Sequence, residues 1–291
     1  MRYSQSFMGK TYSEKLEIVS FRLKHFCNRT FRWIPRLVRL PSGVWWLAYN
    51  DTVSDAILVG VYEREGYQFT QQFLQAGMIV LDIGAHYGFY TVLASKKVGP
   101  GGRVIAFEPS LRERKKLLRH LRLNDCKNVQ VEGLAVANCE SEAEFFVVQG
   151  RDTSYNSLRR PMVNEKIEIT CVPLITLDKY LQRNKINHLD FIKIDAEGAE
   201  LEILKGAGEL LQRKPRPVIY CEVCDSRTQP WGYGAKEIIL YLLEHDYCWF
   251  RPLLENKLEP LLTDRESFAG NFVAVPQEGI EQISKFFKRT D

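Results

Sequence analysis

Four acidic residues stand at the ends of predicted apolar strands, where an α/β sheet places its ligand-binding groups. Asp82 lies within "VLDIG" and Asp195 closes "FIKID", while Glu108 follows "RVIAF" and Glu222 follows "VIYC". Because the carboxyl ends of parallel strands share one edge of a sheet, we expect these four side chains to lie close together. Carboxylates there can bind a cationic ligand, hold a hard divalent cation or act as general bases.

The stretch "VLDIGAHYGFYTVLA", residues 80–94, predicts a strand, a glycine turn and a helix, a layout typical of nucleotide sites. It lacks the G-x-G-x-x-G fingerprint of dinucleotide sites, and no P-loop lysine follows. Asp82 would repel a pyrophosphate but suits the ammonium and sulfonium of S-adenosylmethionine (SAM). Glu108 is spaced to accept hydrogen bonds from ribose hydroxyls. The alternatives are that Asp82 caps the turn and that Glu108 pairs with a nearby arginine.

Asp195 is the best candidate for catalysis because it ends a buried strand at the ligand edge. A hydroxyl acceptor needs a general base or a metal ion that lowers its pKa. Asp195, with Glu197 and Glu222, could supply a base whose pKa is raised by its neighbours. Asp195 and Glu222 could equally hold Mg²⁺. Glu200 lies in the first turn of a predicted helix, where acids stabilise the helix dipole.

Two polar segments are candidates for binding an acceptor. The loop "RDTSYNSLRR" carries Tyr155, Asn156 and Ser157, whose groups could stack on a sugar or hydrogen-bond to it. The segment "PWGYGAKE" contributes Trp231 as a second aromatic face for a sugar. A solvated loop tip is the alternative for the first segment.

The elements that must position these residues alternate between strand and helix from residue 77 onward. This rhythm predicts an α/β fold with a mostly parallel sheet covered on both faces. Two alternating stretches, "EAEFFVVQ" and "KIEITCVPL", predict a β-hairpin insertion. We expect an N-terminal extension of helices and a strand over residues 1–75, with helix up to about residue 40 and a turn at "NDTVSD" after the strand. The cofactor domain is expected over 76–276 and a helical tail over 277–291. The extension would form a cap or a homodimer surface.

The bulk properties of the chain fit a soluble enzyme. It has 291 residues, 45% of them hydrophobic, and a net charge of +4, which does not favour a nucleic-acid partner. Seven scattered cysteines favour free thiols in the cytoplasm. No apolar run is long enough for a transmembrane segment. The basic residues of the predicted helix 112–122 could form a solvated face or bind an anionic partner. His120 of this helix is expected on the surface, and Ser110 and Thr176 are expected to be helix N-caps.

Together, "VLDIGAHYGFYTVLA", "GPGGRVIAFEPS", "LNDCKNVQVEGLAVAN", "SYNSL" and "LDFIKIDAEGAELEILKGA" resemble the FkbM family of SAM-dependent methyltransferases. The resemblance runs from about Val44 to Val275, and "IKIDAEGAE" is its most specific part. It implies a class I methyltransferase, a Rossmann-like seven-stranded sheet with the last strand antiparallel, and methylation of hydroxyls, often on sugars or glycan-bearing metabolites.

The resemblance also assigns residues to parts of the cofactor. It implies that the turn around Asp82, including Gly84, Ala85, His86 and Gly88, binds the methionine part of SAM. Glu108 then binds the ribose and Ala135 lies near the adenine. The chain departs from the family pattern in two places, where His86 replaces the usual asparagine and Asn138 a frequent aspartate.

We therefore expect a SAM-dependent O-methyltransferase that acts on a sugar, a glycan or a glycan-like metabolite. An amine or nucleic-acid methyltransferase is the alternative within enzymes, although the D/N-P-P-Y/F motif of amino-methylating enzymes is absent. A SAM-fold binding module without catalysis is the alternative from another class.

Overall fold

The computed structural model of the chain describes residues 35–287, which fall into two compact units that divide between Tyr62 and Glu63. The helix Arg64–Phe73, predicted within the N-terminal extension, belongs to the larger unit. Its Phe69 and Phe73 are buried in the same apolar cluster as the central strands, and this burial ties it to them.

The smaller unit contains a hairpin and a helix among its described residues. Strands β1 (Arg36–Arg39) and β2 (Trp45–Ala48) pair antiparallel and precede helix α1 (Thr52–Val59). The sequence reading of helix up to about residue 40 is wrong for 36–39, because β2 satisfies the backbone of that segment. The rest of that reading lies outside the described residues. The predicted turn "NDTVSD" is wrong as well, since Asp51 caps α1 by accepting a hydrogen bond from the Ser54 amide at 2.7 Å.

The central sheet of the larger unit has eight strands. Their bounds are β3 (Ile79–Ile83), β4 (Arg103–Phe107), β5 (Val129–Glu132), β9 (Phe191–Ile194), β10 (Val218–Cys224), β11 (Tyr247–Leu253), β12 (Lys257–Pro260) and β13 (Ala269–Pro276). They lie in the order β12-β11-β13-β10-β9-β3-β4-β5. From β10 to β5 all neighbours are parallel, and β13 runs antiparallel to both β10 and β11. The predicted class I methyltransferase sheet is confirmed, and β12 adds an edge strand that was not predicted.

The predicted insertion is present as a separate three-stranded sheet. Strands β6 (Ala135–Val136), β7 (Ser141–Gln149) and β8 (Lys166–Ile175) lie in the order β6-β8-β7. The loop between β7 and β8 contains the short 3₁₀ turn Thr153–Tyr155.

Helices flank the central sheet and cover it. After the helix Arg64–Phe73, named α2, they are α3 (Phe89–Val98), α4 (Leu111–Leu123), α5 (Leu177–Arg183), α6 (Glu200–Lys205), α7 (Gly208–Gln212), α8 (Asp225–Thr228) and α9 (Lys236–Glu244). Ser110 and Thr176 cap α4 and α5 as predicted, each accepting a backbone hydrogen bond. The predicted tail begins with the 3₁₀ segment Gln277–Phe286. Every helix within residues 35–287 is too short or too polar to cross a bilayer.

The two faces of the sheet pack against different apolar clusters because successive strand residues point to opposite sides. Val80, Phe191 and Val218 belong to the cluster that includes α2 and α3. Two residues further along each strand, the same face carries Asp82, Lys193 and Tyr220. The strand pairing sets Asp82 opposite Lys193 and Lys193 opposite Tyr220. On this face of the sheet, a row of apolar side chains is therefore followed, nearer the carboxyl edge, by a row of side chains that carry polar groups.

Candidate functional site

The site lies at the carboxyl edge of the sheet, where strand order reverses. Along the chain β3, β4 and β5 extend the sheet in one direction, while β9 and β10 extend it in the other from the opposite side of β3. A crevice between β3 and β9 is the usual ligand site in such sheets. Asp82 lies on β3 and Asp195 immediately follows β9, so the arrangement brings the predicted cofactor and catalytic acids to one crevice.

The glycine turn after β3 is built against the end of β9. Gly84 has a φ of 78°, and a Cβ placed on it would lie 1.8 Å from the Asp195 carbonyl oxygen. The amides of Gly84 and Ala85 both donate to the Phe107 carbonyl, at 3.1 and 3.0 Å. Glycine is therefore required at position 84, where the turn passes the end of β9, and the two hydrogen bonds fix the direction in which the chain leaves β3.

Asp82 lies on β3, directly before this turn. Its side chain is buried, and Oδ2 accepts a hydrogen bond from Thr91 Oγ1 at 2.5 Å. Oδ1 accepts no hydrogen bond from the described residues, although Lys193 Nζ lies 3.9 Å away. Burial raises the pKa of Asp82, against the opposing effect of Lys193. A cationic ligand beside Oδ1 would favour the charged carboxylate.

Glu108 lies beside the same turn. Its carboxylate accepts hydrogen bonds from the backbone amides of His86 at 2.7 Å and Ser110 at 2.8 Å. Burial, reinforced by Glu113, raises the pKa of Glu108 to about 8. Each carboxylate oxygen has a further lone pair, so Glu108 can still accept from a ligand hydroxyl.

Three carboxylates cluster beyond Asp82. Single oxygens of Asp195, Glu197 and Glu222 lie within 4.8 Å of one another. Lys193 Nζ lies 3.0 Å from Asp195 Oδ2, and Arg227 Nε lies 2.8 Å from Glu197 Oε2 and 3.8 Å from Glu222 Oε1. Two cations therefore flank the cluster, one on each side.

Burial dominates the protonation of the two glutamates. It raises the pKa of Glu197 well above its usual value, although Arg227 opposes the shift. It also raises the pKa of Glu222, with Asp195 and Glu197 adding to the effect. Buried carboxyls of this kind favour the neutral acid, which can donate a hydrogen bond as well as accept one.

Glu200 has a local structural role. Its Oε1 accepts hydrogen bonds from the amides of Ala196 at 2.8 Å and Gly198 at 3.2 Å. These bonds close the turn that leads into α6, in keeping with the helix-start alternative for this residue. Burial raises the pKa of Glu200 to about 7, and its backbone hydrogen bonds act in the opposite direction.

The predicted acceptor residues gather around Glu197. Ser157 Oγ donates to the Glu197 carbonyl at 2.9 Å, and Trp231 Nε1 lies 3.4 Å from the same oxygen. The Arg227 guanidinium lies 4.0 Å from the centre of the Tyr155 ring. Asn156 Oδ1 accepts from the Val148 amide at 2.8 Å. Tyr155, Ser157 and Trp231 thus form one wall beside the acid cluster, while Asn156 braces the loop.

Sequence reasoning missed two residues of this region and misplaced a third. Arg227 and Thr153 contact predicted site residues, yet neither stands in a recognisable motif. Arg227 does closely follow the strand-end acid Glu222, and that spacing was a usable signal. His120, expected on the surface of α4, is buried, with Nδ1 2.7 Å from the Tyr87 carbonyl oxygen.

Part of the basic helix α4 is used inside the fold. Arg112 donates to the Val148 carbonyl at 2.9 Å, and Arg114 donates to the Glu108 carbonyl at 2.7 Å. Lys116 pairs with the buried Glu113 at 2.9 Å. Arg112 and Arg114 therefore anchor the helix to the insertion and to the end of β4, whereas the Lys116 pair lies within the helix. Ala135, expected near the adenine, is buried in β6 and pairs with Leu174.

A cavity of about 630 Å³ is lined in part by residues of β10, β11 and β13. Tyr220, Asn271 and Phe272 contribute to its walls, together with Arg251. Asn271 stands opposite Glu222 in the pairing of β10 with β13. Its Oδ1 is buried and accepts no hydrogen bond from the described residues. The volume is in the range of small-molecule pockets.

Comparison with known proteins identifies the domain. The family described as "Methyltransferase FkbM domain" matches residues 82–248, which is more than half of the chain. The matched span begins at Asp82 and includes all of the acid cluster.

A curated relative and solved structures are also similar. The AMB antimetabolite synthetase AmbE of Pseudomonas aeruginosa is 27% identical over 248 residues, covering 72% of this chain. The chain spans only 11% of the length of that protein. The methyltransferase FkbM from Methylobacillus flagellatus is 15% identical, covering 89% of this chain and 59% of that chain, with a TM-score of 0.42. The O-methyltransferase from Bacillus cereus, in complex with SAH, is 15% identical, covering 94% of each chain, with a TM-score of 0.44.

Proposed function

This chain belongs to the FkbM family of methyltransferases, and we propose that it transfers a methyl group from SAM to a hydroxyl of a sugar, a glycan or a glycan-like metabolite. The observation that carries the proposal is the position of Lys193. Its Nζ lies 3.9 Å from Asp82 Oδ1 and 3.0 Å from Asp195 Oδ2. One buried ammonium therefore connects the carboxylate at the cofactor turn with the carboxylate nearest the crevice.

The residues of the turn suit SAM. Asp82 Oδ1 is buried and accepts no hydrogen bond from the described residues, so it could accept one from the ammonium of SAM, and Glu108 can accept hydrogen bonds from ribose hydroxyls. Gly84 and Gly88 both have positive φ, which keeps the turn tight and its backbone accessible. The groups that these residues could bind are cations and hydroxyls, whereas a dinucleotide site must bind phosphate groups.

In the proposed mechanism SAM supplies an electrophilic methyl group on a sulfonium. Asp195 would take the proton of the acceptor hydroxyl, so that the oxygen could accept the methyl group and S-adenosylhomocysteine (SAH) would be the leaving group. General base catalysis of this kind contributes roughly 10²–10⁴-fold, and alignment of the reacting atoms contributes the larger share. Lys193 holds Asp195 in place for this step.

Glu197 and Glu222 are proposed to orient the acceptor. Their carboxyl oxygens can accept hydrogen bonds from the hydroxyls of a polyhydroxylated molecule. The cavity beside Glu222 offers room for the rest of the acceptor, with Asn271 Oδ1 as an acceptor for one more hydroxyl. Tyr155 and Trp231 add aromatic faces on the opposite side of Glu197.

A divalent cation at Asp195 and Glu222 is the alternative way to activate the hydroxyl. Asp195 and Glu222 would hold the ion, because single oxygens of the acid cluster lie within 4.8 Å of one another, and the ion would lower the pKa of the acceptor hydroxyl. Arg227 already supplies positive charge to this cluster, which favours the general-base mechanism.

Two experiments test the proposal. Isothermal calorimetry should show SAM and SAH binding, and absence of binding at millimolar SAM would exclude the function. Screening of neutral sugars, amines and RNA for acceptor-dependent SAH release then distinguishes O-methylation from amine or nucleic-acid methylation. SAM binding without SAH release in the presence of any acceptor would favour a binding module.

The cysteines among the described residues are all free thiols, which supports a cytoplasmic location.

A further inference from the structure

His86 has contacts on two sides of the cofactor turn. Its φ is 49°, in the left-handed region, which histidine tolerates better than most residues. Its backbone amide donates to Glu108 Oε2 at 2.7 Å, on the cofactor side. Its ring stacks on Tyr87 with centroids 3.7 Å apart, and Nε2 lies 3.2 Å from Thr153 Oγ1. The backbone therefore serves the cofactor turn, while the ring reaches the insertion.

Thr153 is the point where the insertion meets this turn. The residue is buried, and its hydroxyl is also hydrogen-bonded to the Tyr87 hydroxyl. Two neighbouring side chains of the cofactor turn thus converge on one hydroxyl of the loop between β7 and β8. A loop tip held only by solvent would not show such a buried contact.

The other end of the same segment is fixed beside the acid cluster. We name residues 153–157 the strap. Ser157 exchanges two backbone hydrogen bonds with Phe146, at 2.8 and 3.2 Å, and its hydroxyl donates to the Glu197 carbonyl. Arg227 lies over the Tyr155 ring and pairs with the Glu197 carboxylate. The strap therefore runs from the cofactor turn to Glu197.

We propose that His86 is a positioning residue that couples the cofactor turn to the acceptor wall through the strap. Its ring holds Thr153, and the strap carries that constraint to Tyr155 and Ser157 beside Glu197. Binding of SAM against Asp82 and Glu108 would steady the turn and hence the wall that the acceptor meets. The acceptor half of this inference rests on the proposed function, whereas the contact between turn and strap does not.

The substitution His86→Asn tests the coupling. Asparagine favours the left-handed backbone, so the amide contact with Glu108 is kept, but its side chain is too short to replace the ring. Hydrogen exchange of the strap amides, followed by mass spectrometry with and without SAH, is expected to be about fivefold faster in the variant than in the wild type. SAH should slow strap exchange in the wild type and slow it less in the variant, because the variant lacks the link between the turn and the strap.

Thr153→Val provides a second test, because it removes the shared hydroxyl and leaves the shape of the side chain. It should accelerate strap exchange in the same way. His188→Ala is the matched control, since His188 is half-exposed and paired with Asp190 away from the strap. With an acceptor found by screening, His86→Asn should raise the acceptor KM more than the SAM KM, a split that a general loss of folding would not produce.

Unchanged strap exchange in both variants would overturn the proposal, and so would equal increases in both KM values. The proposed function fails separately, if the wild type does not bind SAH. The exchange experiment without SAH still tests the contact in that case.

Discussion

Lys193 Nζ lies 3.0 Å from Asp195 Oδ2, and this ion pair lies at the carboxyl edge between β3 and β9. Burial disfavours the charge of Lys193, but Asp195 and Asp82 outweigh it and raise the pKa of the ammonium. The lysine therefore stays charged throughout the physiological range. It holds the candidate base and the cofactor-side carboxylate at fixed positions relative to each other.

Asp195→Asn should separate binding from turnover. The amide has the same shape and can still accept from Lys193, so the SAH dissociation constant measured by calorimetry should change little. Acceptor-dependent SAH release should fall by roughly 10²–10⁴-fold, because the amide cannot take the proton. Asp125→Asn is the control, since Asp125 is exposed with a φ of 50° that asparagine accepts readily. Full turnover in Asp195→Asn would make Asp195 a structural residue.

SAH affinity should increase with pH because of Glu108. In the free protein the pKa of Glu108 is about 8, so the carboxyl is mostly protonated at pH 7. Ribose hydroxyls donate to the ionised form, and binding must therefore release this proton. The dissociation constant should decrease about tenfold between pH 7 and pH 9. Calorimetry over that range measures the effect, and Glu108→Gln corrects for titration of the ligand itself. A wild-type profile parallel to that of the variant would contradict the assignment.

Gly84→Ala should destabilise the protein strongly. The new Cβ would lie 1.8 Å from the backbone oxygen of Asp195, and the φ of 78° is unfavourable for alanine. We expect a loss of roughly 3 kcal/mol or more in the free energy of unfolding, measured with urea. Gly208→Ala is the matched control, because a Cβ placed on Gly208 would have no other atom within 4 Å apart from its own local backbone. Equal stability of the two variants would mean that β9 does not pass so close to the turn.

EDTA should leave methyl transfer unchanged if Asp195 acts as a plain base. Arg227 already pairs with Glu197 and approaches Glu222, so the cluster has a resident cation. SAH release with acceptor, measured after EDTA treatment and again with added Mg²⁺, checks this. Loss of activity that Mg²⁺ restores would instead assign Asp195 and Glu222 as metal ligands.

The class of fold and the location of the site could both be predicted from the amino-acid sequence. Apolar runs that end in acids predicted parallel strands whose carboxyl ends bind a ligand. Both the alternation of strand residues and the position of ligands at the carboxyl ends of parallel strands can be applied without knowledge of distant contacts. Asp82 and Glu108 flank the turn as their spacing indicated. The FkbM family assignment is confirmed by the match over residues 82–248.

The pairing of the side chains, by contrast, depends on the tertiary structure. Arg227 meets Glu197, Thr153 meets His86, and His120 is buried against Tyr87, because elements that are distant in the sequence pack together. The strand Arg36–Arg39 likewise depends on a partner strand rather than on its own residues. The periodicity of hydrophobic residues indicates which face of a helix or strand a residue occupies. The side chain that it contacts on another element depends on how the elements pack. The acids that we propose for catalysis were therefore identified from their positions at strand ends, whereas the pairing of Arg227 with Glu197 was found only in the tertiary structure.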